Sequence, residues 1–184
     1  MRTSDVDLLL CVEGRSVSDD HWVGRWARNL KTGVLVDIGP PGGEEGRLRT
    51  KKRVSEAASR AERPVVLVGY HSGVAAIVMH AADGAEGIKG ALLVAPPNLK
   101  LTEDFEQAKQ SETAITNAPL PFPSLVIASR TDPRCSYDKA SELALAWGSH
   151  LVDAGDAGQL DVSSGHGPWP EGLMRLGWFL KRLQ

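Results

Sequence analysis

The 184-residue chain is predicted to fold as a three-layer α/β/α sandwich around a mainly parallel sheet. Two observations support this prediction. Strand-like apolar runs alternate with helix-like segments, which requires crossover connections and a parallel sheet. Several of the runs are uninterrupted Val, Leu and Ile, as is typical of strands covered on both faces. Because no repeat, low-complexity tract or linker divides the chain, we expect a single domain over residues 1–184.

Six runs have strand character, and five segments between or after them have helical character. The strands are expected at Val6–Val12, Val34–Ile38, Pro64–Gly69, Gly90–Ala95, Ser124–Ser129 and, more weakly, His150–Asp153. The helices are expected at Asp19–Leu30, Leu48–Glu62, Gly73–Ala82, Tyr137–Trp147 and Glu171–Leu183. Ser18 or Asp19 is expected to cap the first helix, and Ser136 the fourth. The Gly/Pro-rich segment Ile38–Gly43 is typical of a surface loop.

The composition excludes several classes of function. With 42% hydrophobic and 24% charged residues and a net charge of -2, the chain offers no broad nucleic-acid surface and no polybasic membrane contact. The longest early apolar run, Leu8–Val12, is too short for a signal-peptide core or a membrane span. Cys11 and Cys135 provide neither a disulfide framework nor metal-ligand spacing. We therefore expect a cytoplasmic protein without cofactor, metal, nucleic-acid partner or membrane association.

The tryptophans have structural explanations at this stage. Two of them lie one turn apart on the first expected helix and are predicted to pack against the sheet. The other three are expected in the core or in the wall of a site. In order, the five are Trp22, Trp26, Trp147, Trp169 and Trp178.

The stretch Val65–Ala76 is the most informative part of the chain. An apolar run ends in Gly69-x-x-x-Gly73 and continues into an alanine-rich helical pattern. Strand, sharp turn and helix, with one residue in a strained backbone at the apex, form a nucleophile elbow. The glycines leave room where a side chain would collide with the neighbouring strand and helix. In the Gly-x-Ser-x-Gly form the central residue is an attacking serine, so the context indicates a serine hydrolase; here it is His71, and Ser72 comes one place later.

Two further regions lie at the carboxyl ends of predicted strands, where ligands bind in such folds. Gly14 and Arg15 follow the first strand, in the loop that supplies one backbone N–H of the oxyanion hole in α/β-hydrolases. The residue after the nucleophile, here Ser72, supplies the other. A plain strand-to-helix turn is the alternative, and spacing alone favours it. Asp132 follows the fifth strand, where an acid can orient a histidine, although Asp-Pro pairs are also common in turns.

The third region follows the last strand and consists of Gly155–Gln159 and Ser164–Pro170. In the chain order nucleophile, acid, histidine, the catalytic base would be sought here. His166 is the one histidine after that strand, apart from His150 at its start. His166 is therefore a candidate site residue on chain order alone.

These segments together resemble the small α/β-hydrolases of the retinoblastoma-binding-protein-nine type, a family of minimal serine hydrolases. The resemblance covers nearly the whole chain. It implies an α/β-hydrolase fold without a cap domain, an esterase or amidase type of activity and a Ser–Asp–His triad. The segments that carry it are His21-Trp22 with Trp26, Val68-Gly69, Ser72-Gly73, Ala91–Pro97, Pro123–Pro133, Ala146–Gly148, Gly155-x-Ala157-Gly158 and Ser164–Gly172.

Carried over residue by residue, the resemblance leaves one member of that triad in place. His71 stands at the nucleophile position, Asp132 at the acid position, and Gln159 where the histidine follows Gly-x-Ala-Gly. His166 belongs to the Gly-His-Gly-Pro-Trp segment that the family commonly carries beside its catalytic histidine, so we expect it in the site wall. The leading hypothesis is a pseudoenzyme that binds a small acyl or carbonyl ligand, or a protein partner, without turnover.

Two alternatives retain chemistry. In the first, an active esterase or amidase uses Ser72 with His71 as base, or His71 itself as base or nucleophile. Adjacent residues at a sharp turn usually point apart, and a shifted register would replace the second elbow glycine by Val74. In the second, His71, Asp132 and His166 support a metal-dependent or histidine-dependent activity, for which the sequence offers no metal spacing.

Overall fold

A computed structural model describes residues 1–14, 17–40, 42–102 and 114–183. Its strands are β1 (Asp7–Val12), β2 (Gly33–Asp37), β3 (Val65–Tyr70), β4 (Ile88–Val94), β5 (Lys100–Thr102), β6 (Ala114–Thr116), β7 (Ser124–Ala128) and β8 (His150–Asp153). Its helices are α1 (Trp22–Asn29), α2 (Gly43–Ser59), α3 (Ser72–Ala81), α4 (Tyr137–Ala146) and α5 (Pro170–Arg182).

Six strands form one sheet in the order β2-β1-β3-β4-β7-β8, and every neighbouring pair is parallel. Alternate residues of the central strands enter two separate cores. Leu8 and Leu10 belong to the core beneath α1 and α5, whereas Leu9 and Cys11 belong to the core beneath α2, α3 and α4. Every residue of β1 and β3 is buried, which explains the apolar runs Leu8–Val12 and Val65–Val68. The predicted three-layer α/β/α architecture is thus confirmed.

Two helix starts differ from the prediction. Ser18, Asp19 and Asp20 form a turn closed by the His21 N–H to the Ser18 carbonyl, so α1 begins only at Trp22. His21 caps this helix, because its Nδ1 accepts a hydrogen bond from the Val23 N–H at 3.2 Å. The cap predicted at Ser136 is confirmed, with its Oγ accepting from the Lys139 N–H.

Helix α2 begins at Gly43 rather than Leu48. Its first turn carries Glu44 and Glu45, whose negative charges favour a helix N-terminus, and this polar turn has no apolar periodicity to reveal it. Gly43, the last residue of the predicted loop Ile38–Gly43, therefore belongs to α2. Pro41 of that loop lies outside the described residues.

Three other findings depart from the sequence analysis or extend it. The short strands β5 and β6 form a separate two-stranded parallel sheet that was not predicted, because three-residue strands carry too little pattern. Trp178 was expected in the core or a site wall, but 44% of it is exposed, on the outer side of α5. None of the described helices is long and apolar enough to cross a membrane.

Candidate active site

The sharp turn between β3 and α3 places His71 at its apex. The backbone there has φ 49° and ψ -114°, in the left-handed region that side-chain-bearing residues seldom adopt. Two main-chain hydrogen bonds hold this conformation: the His71 N–H donates to the Val94 carbonyl at 3.1 Å, and its carbonyl accepts from the Val74 N–H at 2.9 Å. His71 thus lies in the strained turn where the sequence places the apex of the elbow.

The two elbow glycines make close approaches that a side chain would prevent. A Cβ on Gly73 would lie 1.8 Å from the Cys11 carbonyl oxygen on β1. A Cβ on Gly69 would lie 2.9 Å from the backbone nitrogen of Val74. The first turn of α3 therefore packs directly on the end of β1, and the frame of a nucleophile elbow is complete.

The His71 side chain folds back towards the helix that follows it. Its Nδ1 lies 3.3 Å from the Ser72 Oγ. The expectation that these neighbours point apart is therefore wrong, because the left-handed backbone at His71 brings its ring over the first turn of α3. The contact is nevertheless long for a hydrogen bond to a hydroxyl.

Burial and the surrounding charges favour the neutral form of the His71 imidazole. Burial lowers the pKa of His71, the positive charge of Arg134 lowers it further, and the negative charge of Asp132 opposes both. Because β3 and β7 run parallel in one sheet, Asp132 and Arg134, which follow β7, lie at the same end of the sheet as the elbow. Asp132 itself lies in a tight turn, where its Oδ1 accepts a hydrogen bond from the Arg134 N–H at 2.8 Å.

Two hydroxyl groups join the loop of Asp132 to the loop of Gly155–Gln159. The buried Ser129 Oγ accepts from the N–H groups of Ala157 (3.0 Å) and Thr131 (3.2 Å) and donates to the Gly155 carbonyl (3.2 Å). The Thr131 Oγ1 accepts from the Gly158 N–H at 3.1 Å. The acid and base positions therefore belong to one hydrogen-bonded unit. The sequence analysis missed both hydroxyls; the available signal was two such residues flanking Arg130 at a strand end.

Gln159 is held beside the elbow through its backbone. The Tyr70 hydroxyl, on the last residue of β3, donates to the Gln159 carbonyl at 3.1 Å. Burial raises the pKa of this tyrosine, so the phenol stays protonated and keeps its donor. The Gln159 backbone is thus tied to the last residue of β3, and its amide side chain neither gains nor loses a proton near neutral pH.

His21 lies buried behind Tyr70, with 4.6 Å between the two ring centroids. Because its Nδ1 accepts the capping hydrogen bond, its proton resides on Nε2, which has no partner among the described residues. Burial lowers the pKa of His21 to about 4, against the opposing charge of Asp161. His21 is therefore neutral and part of the support beneath the elbow.

The remaining predicted site residues are placed as follows. The Gly14 N–H donates to Asp37 Oδ1 at 2.9 Å. This donor is therefore already used, which favours the plain strand-to-helix turn over an oxyanion-hole role for Gly14. Arg15 lies outside the described residues. The contacts of His166 within the described ranges are local: its Nδ1 lies 3.3 Å from the Ser164 Oγ, and its N–H donates to the Asp161 carbonyl. No cluster of three metal-ligating side chains occurs within the described part of the chain.

Comparison with known proteins places this geometry in a family. The family model described as serine hydrolase matches residues 9–178. A protein described as a YdeN-like hydrolase, from Pectobacterium atrosepticum, is 29% identical with a TM-score of 0.80, over 96% of this chain and 91% of that one. No curated protein matches the chain.

More distant structures share the fold alone. The ydeN product of B. subtilis is 18% identical with a TM-score of 0.65, over 95% of this chain and 97% of that one. The esterase RhEst1 from Rhodococcus is 13% identical with a TM-score of 0.67, over 100% and 93% of the two chains. With a family match over almost its whole length and an elbow frame of the expected geometry, the chain belongs to the serine hydrolase family.

Proposed function

We propose that this protein has kept the binding frame of a serine hydrolase and lost most of its esterase or amidase chemistry. The observation that carries the proposal is His71 at the strained apex, in place of a hydroxyl nucleophile. An imidazole ring extends further from the backbone than a serine Oγ does. A ring nitrogen therefore does not lie at the distance from the oxyanion donors at which a serine Oγ would attack.

The base position supports the same proposal. A general base must accept a proton during attack and return it to the leaving group, and the Gln159 amide does neither. In a serine triad, removal of one member costs on the order of 10⁴-fold in rate. Asp132 alone cannot compensate, because its part is to orient and stabilise a histidine at the position that Gln159 now fills.

What remains suits the binding of a small acyl or carbonyl ligand. The Ser72 N–H, at the first position of α3, has no intrahelical acceptor. The neutral His71 ring adds a group that donates or accepts one hydrogen bond. A ligand carbonyl oxygen held by these donors would be bound without being attacked.

One contact favours a second candidate function, an active hydrolase in which Ser72 is the nucleophile and His71 its base. The 3.3 Å approach of His71 Nδ1 to Ser72 Oγ is the contact that such a dyad needs. Against it, Ser72 is the first residue of α3 and lies outside the strained position. A histidine attacking directly through its own ring is the other form of this alternative.

Labelling with a fluorophosphonate probe and hydrolysis of para-nitrophenyl acetate distinguish these functions. We expect the wild-type protein to remain unlabelled and to hydrolyse the ester no faster than a heat-denatured sample. Labelling and turnover that disappear in Ser72→Ala would establish the Ser72 nucleophile. Turnover that survives Ser72→Ala and disappears in His71→Ala would establish histidine chemistry. Either positive result would overturn the proposal.

A further inference from the structure

Large apolar side chains are exposed around the outer strand β8. Leu145 on α4 is 83% exposed, and Met174 on α5 is 67% exposed. Trp178, also on α5, stands next to β8, with its ring 6.3 Å from that of His150. Strand β8 ends the six-stranded sheet on this side, within the part of the chain that the structure describes. Apolar groups of α5 therefore lie beside this open edge of the sheet.

The exposed face of α5 is a stripe that repeats every three or four residues, so its members lie on one side of the helix. A groove of about 660 Å³ separates the stripe from β8, with Leu125 and Val152 among its lining residues. The members of this stripe are Glu171, Met174, Arg175, Trp178 and Arg182.

Helix α5 carries a negative charge at its N-terminal end and positive charges at its C-terminal end. Glu171 lies in the first turn, and Lys181 and Arg182 lie in the last. An identical helix laid antiparallel against the stripe would bring Glu171 of each copy to the basic end of the other. In the same alignment Met174 meets Trp178 of the second copy, a thioether–aromatic contact that is favourable in itself.

We propose that this face binds a second copy of the chain, with the two α5 helices antiparallel about a two-fold axis. A self-complementary surface of this kind is what a two-fold dimer requires. A uniformly acidic or uniformly basic partner would meet a like charge at one end of the helix. Arg175 lies near the middle of the stripe, and it lines the groove together with Asp153 of its own chain. The proposal is independent of whether the protein is catalytic.

The oligomeric state in solution tests this directly. Sedimentation equilibrium over protein concentrations from about 1 μM to about 500 μM should show the mass rising from 19.7 kDa towards twice that value. Trp178→Glu should remain at the monomer mass throughout. Leu48→Glu is the matched control, because Leu48 is an exposed leucine on α2, a helix of the opposite layer, and this variant should associate like the wild type. A wild-type protein that stays monomeric, or a Trp178→Glu protein that still dimerises, would overturn the proposal.

A charge exchange tests the antiparallel arrangement and excludes misfolding as the cause. In Glu171→Lys both ends of α5 are basic, and in the double variant Lys181→Glu/Arg182→Glu both ends are acidic. Each variant should therefore form a homodimer with a dissociation constant at least about tenfold higher than that of the wild type. Mixed in equal amounts, they should form a heterodimer, because both of its contacts are then between opposite charges. Failure of the mixture to associate beyond its components would contradict the arrangement.

Discussion

The elbow at His71 and the loop pair, formed by the Asp132 loop and the Gly155–Gln159 loop, are held in different ways. At the elbow, main-chain hydrogen bonds and close backbone contacts fix the geometry: His71 is held by Val94 and Val74, and Gly73 packs on Cys11. In the loop pair, side chains do this work, since Ser129 and Thr131 join the Asp132 loop to the Gly155–Gln159 loop. The apex side chain takes no part in holding the first region, whereas two side chains hold the second.

This difference separates the frame of the site from its chemistry. Replacing serine by histidine at the apex leaves every main-chain contact of the elbow available. Gln159 is likewise held through its backbone: its carbonyl accepts from the Tyr70 hydroxyl, and Ser129 and Thr131 hold the residues before it in the loop. Chemistry can therefore be lost at both positions while the frame persists, and the same reasoning implies that it can be restored.

The largest effect is expected from a methyl group at the elbow. Gly73→Ala would place its Cβ 1.8 Å from the Cys11 carbonyl oxygen, which belongs to the buried main chain of β1 and cannot move aside cheaply. We expect a loss of more than about 4 kcal/mol in unfolding free energy, or insoluble protein. Gly177→Ala on α5 is the control: nothing lies near its Cβ, and helix propensity should stabilise it by about 1 kcal/mol. A soluble Gly73→Ala protein that unfolds at the same urea concentration as the wild type would contradict the main-chain packing of the elbow.

In the loop pair, the stability of the protein should depend most on the buried hydroxyl of Ser129. Ser129→Ala removes a hydroxyl that accepts two hydrogen bonds and donates one, and it leaves the N–H groups of Ala157 and Thr131 unpaired. We expect a loss of about 3 kcal/mol in unfolding free energy. Ser59→Ala, which removes an exposed hydroxyl at the end of α2, should change it by less than about 0.5 kcal/mol. If the two variants unfold at the same urea concentration, the side-chain account of the loop pair is wrong.

Behind the elbow, His21 should make stability depend on pH. Its folded-state pKa of about 4 lies below its ordinary value of 6.5, so the unfolded chain binds more protons between these values. Stability should therefore fall with decreasing pH, by about 2 kcal/mol from pH 7 to pH 5. His71 and His80, whose pKa values burial also lowers, add to the slope with the same sign.

His21→Asn isolates this contribution. Asparagine still caps a helix well, so the Val23 N–H keeps an acceptor, but the titrating group is gone. Thermal unfolding measured from pH 7 to pH 5 should show that the variant's stability depends on pH with about half the wild-type slope or less. A slope identical to that of the wild type would show that His21 is not held neutral by burial.

Much of the fold could be predicted from the sequence because its strongest signals are long and regular. The uninterrupted runs of β1 and β3 are confirmed within one residue at either end, since burial on both faces demands such sequences. Shorter or polar elements carry no such signal. Thus β5 and β6 were missed, and the polar first turn of α2 was not included in the predicted helix.

The site was predictable as a frame and less so in its details. The spacing of Gly69 and Gly73 locates the apex, because only glycine tolerates those backbone approaches. The hydrogen bonds of Ser129 and Thr131 join loops more than twenty residues apart in sequence, and no local pattern reports such contacts. The same limit applies to His71 and Ser72, whose approach depends on the backbone angles at the apex.

Restoring the triad tests the central claim most directly. The double variant His71→Ser/Gln159→His places a hydroxyl and a titrating base on a frame that still holds Asp132 and both elbow glycines. Its hydrolysis of para-nitrophenyl acetate should exceed that of the wild type by at least about 100-fold, and either single variant should gain far less, because triad members act as a unit. A folded double variant that is no more active than the wild type would contradict the claim that an intact frame has lost only its chemistry.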